Sequence, residues 1–349
     1  MREANKACNE ISSIAFEGNI FHQFRLHKAA YYWIRAKYSL SAQVVVRCIA
    51  KVADSYKKDS KKKEDQKTKR TYKPLGAIAY DDRILSYRMD ASEVSIWTIQ
   101  GREKIPYVLG VRQEQLLAFR KGESDLCLAN GKFFLNVACE LREEEQQEPE
   151  DLIGVDLGIR RLATTSEGIH YMGDGVERKR QWYLNRRRVL QKVGTKSAKR
   201  RLKKLAGRER RFRKDTNHRI SKEIVAVAKD THCGIVLEEL KGIRKRAKVH
   251  KKQRAMFSGW SFDEMQRYIT YKAKETGVLV MFVNPRYTSQ CCSECLHIER
   301  GNRRSQSEFE CRKCGHKDHA DENSTKVVKL LGLCQRLGGF SLFCPSVGR

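Results

Sequence analysis

Hydrophobic residues follow three different patterns along the chain, and each pattern predicts a different architecture. Up to residue 58, alanines, leucines and aromatic residues recur at helical spacing, for example in HQFRLHKAAYYWIRAKYSLSAQVVVRCIAKVADSYK. Residues 59–74 are rich in lysine and are expected to form an exposed linker. From 75 to 151, short apolar runs such as SIWTI and KFFLNVACEL alternate with Gly, Asn and Asp turns, which predicts a small antiparallel sheet or barrel.

The third pattern begins at Leu152. The segment LIGVDLGIRRLATTSEGIHYMG indicates three strands, and a long basic helical stretch follows it. Two further apolar strands, GIVLEEL and VLVMFVNP, are separated by a basic loop, KGIRKRAKVHKKQR, and an amphipathic helix, and HADENSTKVVKLLGL predicts a last helix. Three strands, a helix, a strand, a helix and a strand are the order of an RNase H-like fold, so we expect a multi-domain α/β protein with this fold over 152–349.

The charge of the chain indicates its partner. Lysine and arginine number 71 against 42 aspartates and glutamates, a formal charge of +29, which favours a polyanion and above all nucleic acid. Between Arg178 and Arg219 lie 19 basic residues and two acids. A solvated helix is the alternative interpretation, but mutual repulsion favours binding to a nucleic-acid backbone. The expected phosphate contacts are Arg186, Arg187, Arg188, Lys199, Arg200, Arg201, Lys203 and Lys204.

Cysteine usage and hydropathy limit the location. No long apolar span or signal peptide is evident, so membrane insertion and secretion are not expected. Five of the 12 cysteines cluster near the end of the chain and the others are scattered, which favours metal binding in a reducing compartment over a disulfide framework. A cytoplasmic protein is therefore expected.

The clustered cysteines form two CxxC knuckles. Cys292 and Cys295 are separated by 15 residues from Cys311 and Cys314, a spacing that closes a tetrahedral Zn²⁺ site. We expect a zinc ribbon over 288–316 that is structural or binds nucleic acid. Cys291 is interpreted as a spare thiol. Three histidines are the possible substitute ligands: His297, His316 and His319.

Three acids stand where strands end or a helix begins. Asp156 closes the strand in GVDLG, Glu238 closes the strand in IVLEEL, and Asp321 opens the last helix in ADEN. Each acid alone is also explained as a turn or capping residue, and spacing does not separate Glu238 from Glu239. Together, within this strand order, the three favour a Mg²⁺ site that hydrolyses phosphodiesters.

These motifs resemble the TnpB (OrfB) proteins of bacterial insertion sequences, relatives of the type V CRISPR nucleases. The resemblance is carried, in this order, by GVDLGIRRLATTS, GIVLEEL, NPRYTSQCCSEC, ECRKCG and ADENST. It implies an RNA-guided DNA endonuclease of the bacterial cytoplasm, associated with the nucleoid, whose partners are guide RNA and DNA. It also implies a RuvC-like nuclease domain over 152–349, with the ribbon inserted and with Asp156, Glu238 and Asp321 as catalytic acids. Residues 1–58 and 75–151 resemble the family's recognition and wedge domains.

The chain departs from the family pattern at several positions. It begins within the first helix, EEL stands where the family has EDL, and Ser324 and Thr325 replace paired alanines, although Asn323 matches the family's D-x-N. The alternative is therefore a catalytically inactive, N-terminally truncated nucleic-acid-binding protein from a degenerate insertion sequence. A DDE transposase could use the same acids, whereas an HUH transposase is disfavoured because the chain has no His-x-His pair. The oligomeric state stays open.

Overall fold

The computed structural model describes residues 1–57, 68–141, 143–158, 160–240 and 262–338. Within these ranges the chain forms two compact units, Met1–Leu141 and Arg142–Arg349. Most of the predicted linker lies outside the described residues, because 58–67 are not described. The whole predicted basic loop, which falls within 241–261, and residues 339–349 also lie outside them. The described end of the linker, 68–74, forms neither helix nor strand.

Three helices open the first unit, as the helical spacing predicted. They are α1 (Arg2–Glu17), α2 (Gln23–Lys37) and α3 (Ala42–Tyr56). The hydroxyl of Ser41 accepts a hydrogen bond from the Val44 amide and so caps α3. The largest side chains fully buried in the core of these helices are Ile11, Leu26, Ile34, Ile49 and Tyr56.

The strands of the first unit form two antiparallel sheets rather than one. They are β1 (Ile78–Tyr80), β2 (Leu85–Arg88), β3 (Glu93–Thr98), β4 (Gly101–Pro106), β5 (Arg120–Ala129) and β6 (Lys132–Cys139), ordered β1-β5-β6 and β2-β3-β4. Strand β2 and a short helix α4 (Val111–Leu117) were not expected from the sequence. The apolar run IPYVLGV spans the end of β4 and the start of α4, so its hydrophobicity alone does not show where the strand stops.

The second unit is built on a five-stranded mixed sheet. Its elements are β7 (Asp151–Asp156), β8 (Arg161–Thr165), β9 (His170–Met172), α5 (Asp174–Val193), α6 (Lys196–Asp230), β10 (Cys233–Glu238), α7 (Phe262–Glu275), β11 (Val280–Val283), a 3₁₀ turn (Arg300–Asn302), β12 (Glu308–Glu310), β13 (Lys317–His319) and α8 (Ala320–Arg336). The strands lie in the order β11-β10-β7-β8-β9. Strand β10 runs parallel to β7 and β11, whereas β8 runs antiparallel to β7 and β9. This confirms the predicted order of elements.

Helices cover both faces of this sheet, which explains why its central strands are almost continuously apolar. On one face Ile153 and Leu237 pack with residues of α6 and α7, such as Ile224 and Met265. On the other face Leu152 and Val236 pack with α8, through Val327, Val328 and Leu331. Because side chains alternate along a strand, the even-numbered positions of β7 and β10 face α8.

Candidate active site and metal centre

Strand alternation puts two of the predicted acids on the same face of the sheet. Asp156 lies four positions after Leu152, and Glu238 lies two after Val236, so both share the face that α8 covers. The parallel register pairs Val155 with Leu237, the residues immediately before the two acids. The two carboxylates therefore lie side by side at the carboxyl ends of neighbouring strands. The neighbouring Glu239 is one position further along, so its side chain points to the opposite face, and it is exposed. Glu238 is therefore the glutamate of this pair that faces α8, which spacing alone did not show.

Close packing of α8 against β7 brings in the third acid. A Cβ atom at Gly154 would lie 2.1 Å from the carbonyl oxygen of Thr325 and 2.7 Å from the amide nitrogen of Lys329. Only glycine allows the helix backbone to approach the strand this closely. Asp321 lies about one turn before Thr325, on the part of α8 nearest the end of β7. The N-cap of this helix is His319, whose Nδ1 accepts from the Asp321 amide at 3.2 Å, so Asp321 is not the capping residue.

The three acids interact electrostatically in the folded chain. Burial, followed by the neighbouring carboxylates of Glu238 and Asp321, raises the pKa of Asp156 to about 8. Burial also raises the pKa of Glu238, although a hydrogen bond from Thr288 opposes the shift. Both side chains keep some accessible surface. Collecting carboxylates in a partly desolvated place is costly unless a cation compensates for them, which is a mark of a functional site.

Sequence reasoning missed two residues that contact these acids. The Thr288 hydroxyl donates to Glu238 Oε1 at 2.6 Å. The guanidinium of Arg303 lies 3.4 Å from Asp321 Oδ1, and its charge also acts on Asp156 and Glu238. Thr288 belongs to the motif NPRYTSQCCSEC and Arg303 to the segment between the knuckles, but neither residue type at these positions signals a contact with a strand 50 or more residues away.

The four knuckle cysteines form a compact cluster that could bind zinc. Their Sγ atoms all lie within 4.8 Å of one another, with 3.7 Å between Cys292 and Cys314 and 3.5 Å between Cys295 and Cys311. A tetrahedral Zn²⁺ with bonds of about 2.3 Å separates its sulfur ligands by about 3.8 Å, so these distances fit. Among the residues that the structure describes, no other group of three or more His, Cys, Asp or Glu side chains gathers its ligand atoms this closely.

Local structure prepares the second knuckle for a metal. Gly315 follows Cys314 with a φ of +74°, a left-handed conformation that favours glycine, and its amide bonds to the Cys311 carbonyl at 2.9 Å. Burial alone would raise the pKa of the Cys311 thiol, but the backbone N–H groups of Cys314 and Lys313 and the side chains of Cys295 and Cys314 together lower it to about 6. A thiolate is the form that binds a metal.

The other candidate ligands lie elsewhere. Cys291 is buried in the core between the sheet and α8, which agrees with its interpretation as a spare thiol. The three histidines do not belong to the cysteine cluster. The His297 ring contacts the Glu299 carboxylate at 3.2 Å, the His316 ring lies 3.8 Å from Asp318, and His319 caps α8.

Buried polar contacts join the ribbon to α8. Asn323 is fully buried, its Oδ1 accepts from the Ser293 amide at 3.0 Å, and its Nδ2 donates to the Cys291 carbonyl at 2.7 Å. Ala320, the first residue of α8, packs with two of the metal-site cysteines, Cys292 and Cys311. The ribbon is therefore attached on both sides of Asp321, so the structure joins the predicted zinc site to one of the predicted catalytic acids.

The predicted basic stretch forms two long helices, α5 and α6, that pack against each other. Gly194 ends α5 with a φ of +65°, and the Thr195 hydroxyl caps α6 by accepting from the Ala198 amide. Of the eight predicted phosphate contacts, Arg187 is half-buried and pairs with Glu209, while the other seven are exposed. In the ranges that the structure describes, no hydrogen bond or ion pair joins these eight residues to the three acids.

No helix within the described ranges is long and apolar enough to cross a membrane.

Two family models define the class of protein to which the second unit is similar. Residues 136–255 match the family described as a probable transposase, OrfB_IS605, and residues 262–328 match the Cas12f1-like TNB domain. The first match covers β7 to β10 and the second covers α7, the cysteine ribbon and the start of α8. These matches confirm the resemblance to the TnpB (OrfB) family that the motifs indicated, and the second model adds a resemblance to Cas12f1-like proteins.

Individual relatives carry related names. The CRISPR-associated endodeoxyribonuclease Cas12f1 of Syntrophomonas palmitatica is 31% identical over 210 residues, which are 55% of this chain and 41% of that protein. The putative RNA-guided DNA endonuclease InsQ of Escherichia coli K12 is 31% identical over 224 residues, 58% of this chain and 54% of that protein. The chain thus aligns with about half the length of these relatives or less.

A Cas12f1–sgRNA–target DNA complex superimposes with a TM-score of 0.43 and 17% identity, covering 94% of this chain and 93% of that one.

Proposed function

We propose that this chain is an RNA-guided DNA endonuclease of the TnpB type that hydrolyses DNA phosphodiesters with divalent metal ions. The observation that carries the proposal is that Asp156 and Glu238 end neighbouring strands on the sheet face that α8 covers, with Asp321 at the start of α8, and that burial and the charges of Glu238 and Asp321 raise the pKa of Asp156. The names of the relatives support the same activity. The binding-only alternative is not favoured, because it leaves this costly arrangement of acids without a purpose.

The acidic residues suit magnesium. Mg²⁺ prefers carboxylate oxygens, and Asp156, Glu238 and Asp321 supply them from three separate elements. When bound, magnesium supplies Lewis acidity and lowers the pKa of a coordinated water. The chain's own part is to hold the carboxylates in register, through the pairing of β7 with β10 and the close contact at Gly154. Thr288 fixes the orientation of the Glu238 carboxylate by its hydrogen bond.

The ribbon takes a structural role in this proposal. Zn²⁺ would hold the two knuckles together through Cys292, Cys295, Cys311 and Cys314. The hydrogen bonds of Asn323 to Ser293 and Cys291 would then fix the start of α8 relative to the ribbon. In the part of the chain that the structure describes, the buried hydrophobic residues that pack with the cysteines are Phe309 and Ala320, so a metal would take the place of a larger apolar core.

The remaining assignments follow the family. Strands β7 to β11 lie in the order 3-2-1-4-5 across the sheet when numbered along the chain, which supports an RNase H-like, RuvC-type nuclease domain over 152–349 with the ribbon at 288–316. Residues 1–58 would serve as a recognition segment and 75–151 as a wedge. The exposed cations of α5 and α6 would hold the backbones of guide RNA and DNA without reading sequence. Such a protein would act in the bacterial cytoplasm, at the nucleoid.

The test is cleavage of labelled single- and double-stranded DNA by the purified chain with its co-purified RNA and Mg²⁺. Glu238→Gln and Asp156→Asn should reduce the rate by about 100-fold or more, because each removes a metal-binding charge. Glu239→Gln is the matched control, since Glu239 lies on the opposite strand face and should leave cleavage unchanged. RNase treatment should abolish cutting if RNA guides it.

Two results would refute the proposal. Cutting that survives Asp156→Asn would place the chemistry elsewhere. Tight, salt-sensitive binding of nucleic acid without any cutting would restore the alternative of a protein that only binds.

A further inference from the structure

A fourth carboxylate, that of Glu322, directly follows Asp321 at the start of α8, and it is bound by the edge of the sheet. Glu322 Oε1 accepts from Arg161 Nη1 at 3.1 Å and contacts His170 Nε2 at 3.2 Å. Arg161 Nη1 also lies 3.3 Å from His170 Nδ1, so the three side chains form a closed cluster, and they are only 18% to 31% exposed. We call Arg161, His170 and Glu322 the clamp, because they join α8 to β8 and β9.

The strand register places the clamp on the same face of the sheet as the acidic site, which comprises Asp156, Glu238 and Asp321. Thr164 of β8 pairs with Asp156 of β7 on one side and with His170 of β9 on the other. Residues paired across antiparallel strands direct their side chains to the same face, so all three point towards α8. Because neighbouring strands lie about 4.8 Å apart, His170 stands in the same row as Asp156, about 10 Å away.

A β-bulge brings Arg161 to that face. The register of β8 against β9 shifts between Arg161 and Ala163, which leaves Leu162 as an extra residue. Without the bulge, Arg161 would share the face of Ala163, which packs in the core with α6 and α7. The contact with Glu322 shows that the bulge turns the guanidinium to the side of α8 instead.

The two acids at the start of α8 therefore point to different parts of the sheet. Asp321 and Glu322 are consecutive in a helix, so their side chains leave its axis about 100° apart. Anchoring Glu322 to β8 and β9 directs Asp321 towards the ends of β7 and β10. A free carboxylate in this place would add to the repulsion among the three acids, and pairing with Arg161 neutralises it.

We propose that Glu322 is a positioning residue for the acidic site. Held by Arg161 and His170, it fixes the rotation of the first turn of α8, so that Asp321 stays beside Asp156 while Glu322 itself stays out of the site. This inference rests on the proposed nuclease function. It differs from the other two attachments of α8, since Gly154 sets how closely the helix approaches β7 and Asn323 joins it to the ribbon.

The other end of α8 provides a matched control. Arg336 donates to Glu148 Oε1 through Nη2 at 2.6 Å and through Nε at 3.0 Å. It lies four turns beyond Glu322, about 21 Å along the helix. Arg336→Leu therefore removes an ion pair that attaches the same helix without reaching the acids.

The experiment compares Glu322→Ala, Glu322→Gln, Arg161→Leu, the double variant of Arg161→Leu with Glu322→Ala, and Arg336→Leu, each in the full chain. Mn²⁺ binding is measured by calorimetry, stability by urea unfolding, and DNA cleavage as separate kcat and KM values. We expect Glu322→Ala and Arg161→Leu each to lower kcat and Mn²⁺ affinity about tenfold or more, with KM near the parent value. The double variant should match the single ones, because the two residues act as a unit.

The conservative variant separates positioning from metal binding. Glu322→Gln should recover most of kcat and Mn²⁺ affinity, because its amide oxygen still accepts from Arg161 and His170. Arg336→Leu should equal the parent in both measurements. This combination would support the proposal, because a residue that only stabilises α8 would be matched by Arg336→Leu.

Three results would overturn the proposal. Equal losses in Glu322→Ala and Glu322→Gln would mean that the carboxylate itself binds the metal or the substrate. A higher KM in Arg161→Leu with unchanged kcat would make Arg161 a phosphate contact. Losses of kcat in Arg336→Leu as large as those in Glu322→Ala would reduce the clamp to a general support of α8.

Two further comparisons keep the test decisive. Should Glu322→Ala fail to fold, Arg161→Leu takes its place beside Glu322→Gln, with the same outcomes. Failure of the nuclease function is visible in the parent chain, which would then neither cut DNA nor bind Mn²⁺ in an Asp156-dependent way. Failure of the clamp leaves both properties intact in the parent and in Glu322→Ala.

Discussion

Gly154→Ala tests whether the contact between β7 and α8 holds the acidic site together. The added Cβ atom would lie 2.1 Å from the Thr325 carbonyl oxygen, against at least 3.4 Å for an ordinary contact, so the helix must recede by about 1.3 Å. The obstructing atoms belong to the backbone, so a change of side-chain rotamer cannot move them aside. We therefore expect destabilisation near the upper end of the usual range for overpacking, about 3 kcal/mol.

The same displacement would move Asp321 away from Asp156. A shift of about 1 Å in a catalytic group typically costs about 100-fold in rate. The assays are urea unfolding for stability and DNA cleavage for activity, with zinc content as a check, because the substitution does not touch the cysteine cluster. The unfolding result is independent of whether the proposed activity is correct.

Gly207→Ala is the control for this substitution. Gly207 lies in the middle of α6, and the nearest atom to an added Cβ there is the flexible end of Arg211, at 3.6 Å. Alanine should stabilise that helix by about 1 kcal/mol. If Gly154→Ala changed stability by less than about 0.5 kcal/mol and left cleavage intact, the strand–helix contact would not be what positions Asp321.

Three further predictions concern the ribbon and the basic helices. Asn323→Ala leaves the Ser293 amide and the Cys291 carbonyl without their partner, so urea unfolding of the zinc-loaded protein should show a loss of about 2–4 kcal/mol; a loss below 1 would contradict the role given to that side chain. Cys311→Ser should lower the zinc content from one ion per chain towards none and should also reduce Mn²⁺ affinity; parent-like Mn²⁺ binding in the zinc-free variant would separate the two sites. The pair Lys199→Gln and Lys203→Gln, one turn apart on α6, should reduce the slope of log affinity against log salt by about 2 for any nucleic acid, and an unchanged slope would remove these residues from the interface.

The local sequence pattern was sufficient to predict much of the secondary structure of this protein and its cysteine cluster. The helical spacing in the first 58 residues, the order of strands and helices after Leu152 and the doubled CxxC motif all predicted what the structure contains. The alternation of side chains along a strand also separates Glu238 from Glu239. Glu238 lies on the same strand face as the core residue Val236, whereas Glu239 does not. These features depend on interactions between residues close in sequence, so the chain displays them directly.

Pattern was less informative in residues 75–141, where strands are short and turns frequent. The number of sheets depends on which strands pair, and the paired residues of β1 and β5 are 44 to 48 positions apart. The sequence of most of these strands predicts a strand, but it does not show which other strand it pairs with.

The contacts that assemble the candidate site are long-range and were hidden from the sequence. Arg303 reaches Asp321 from a polar loop, Thr288 donates to Glu238 across 50 positions, and Gly154 matters because α8 lies on it. In each case the residue type is unremarkable at its own position, and its role arises from packing between segments that are far apart along the chain. The hydrophobic pattern was enough to locate acids at strand ends, but the position of Arg303 beside them is visible only in the tertiary structure.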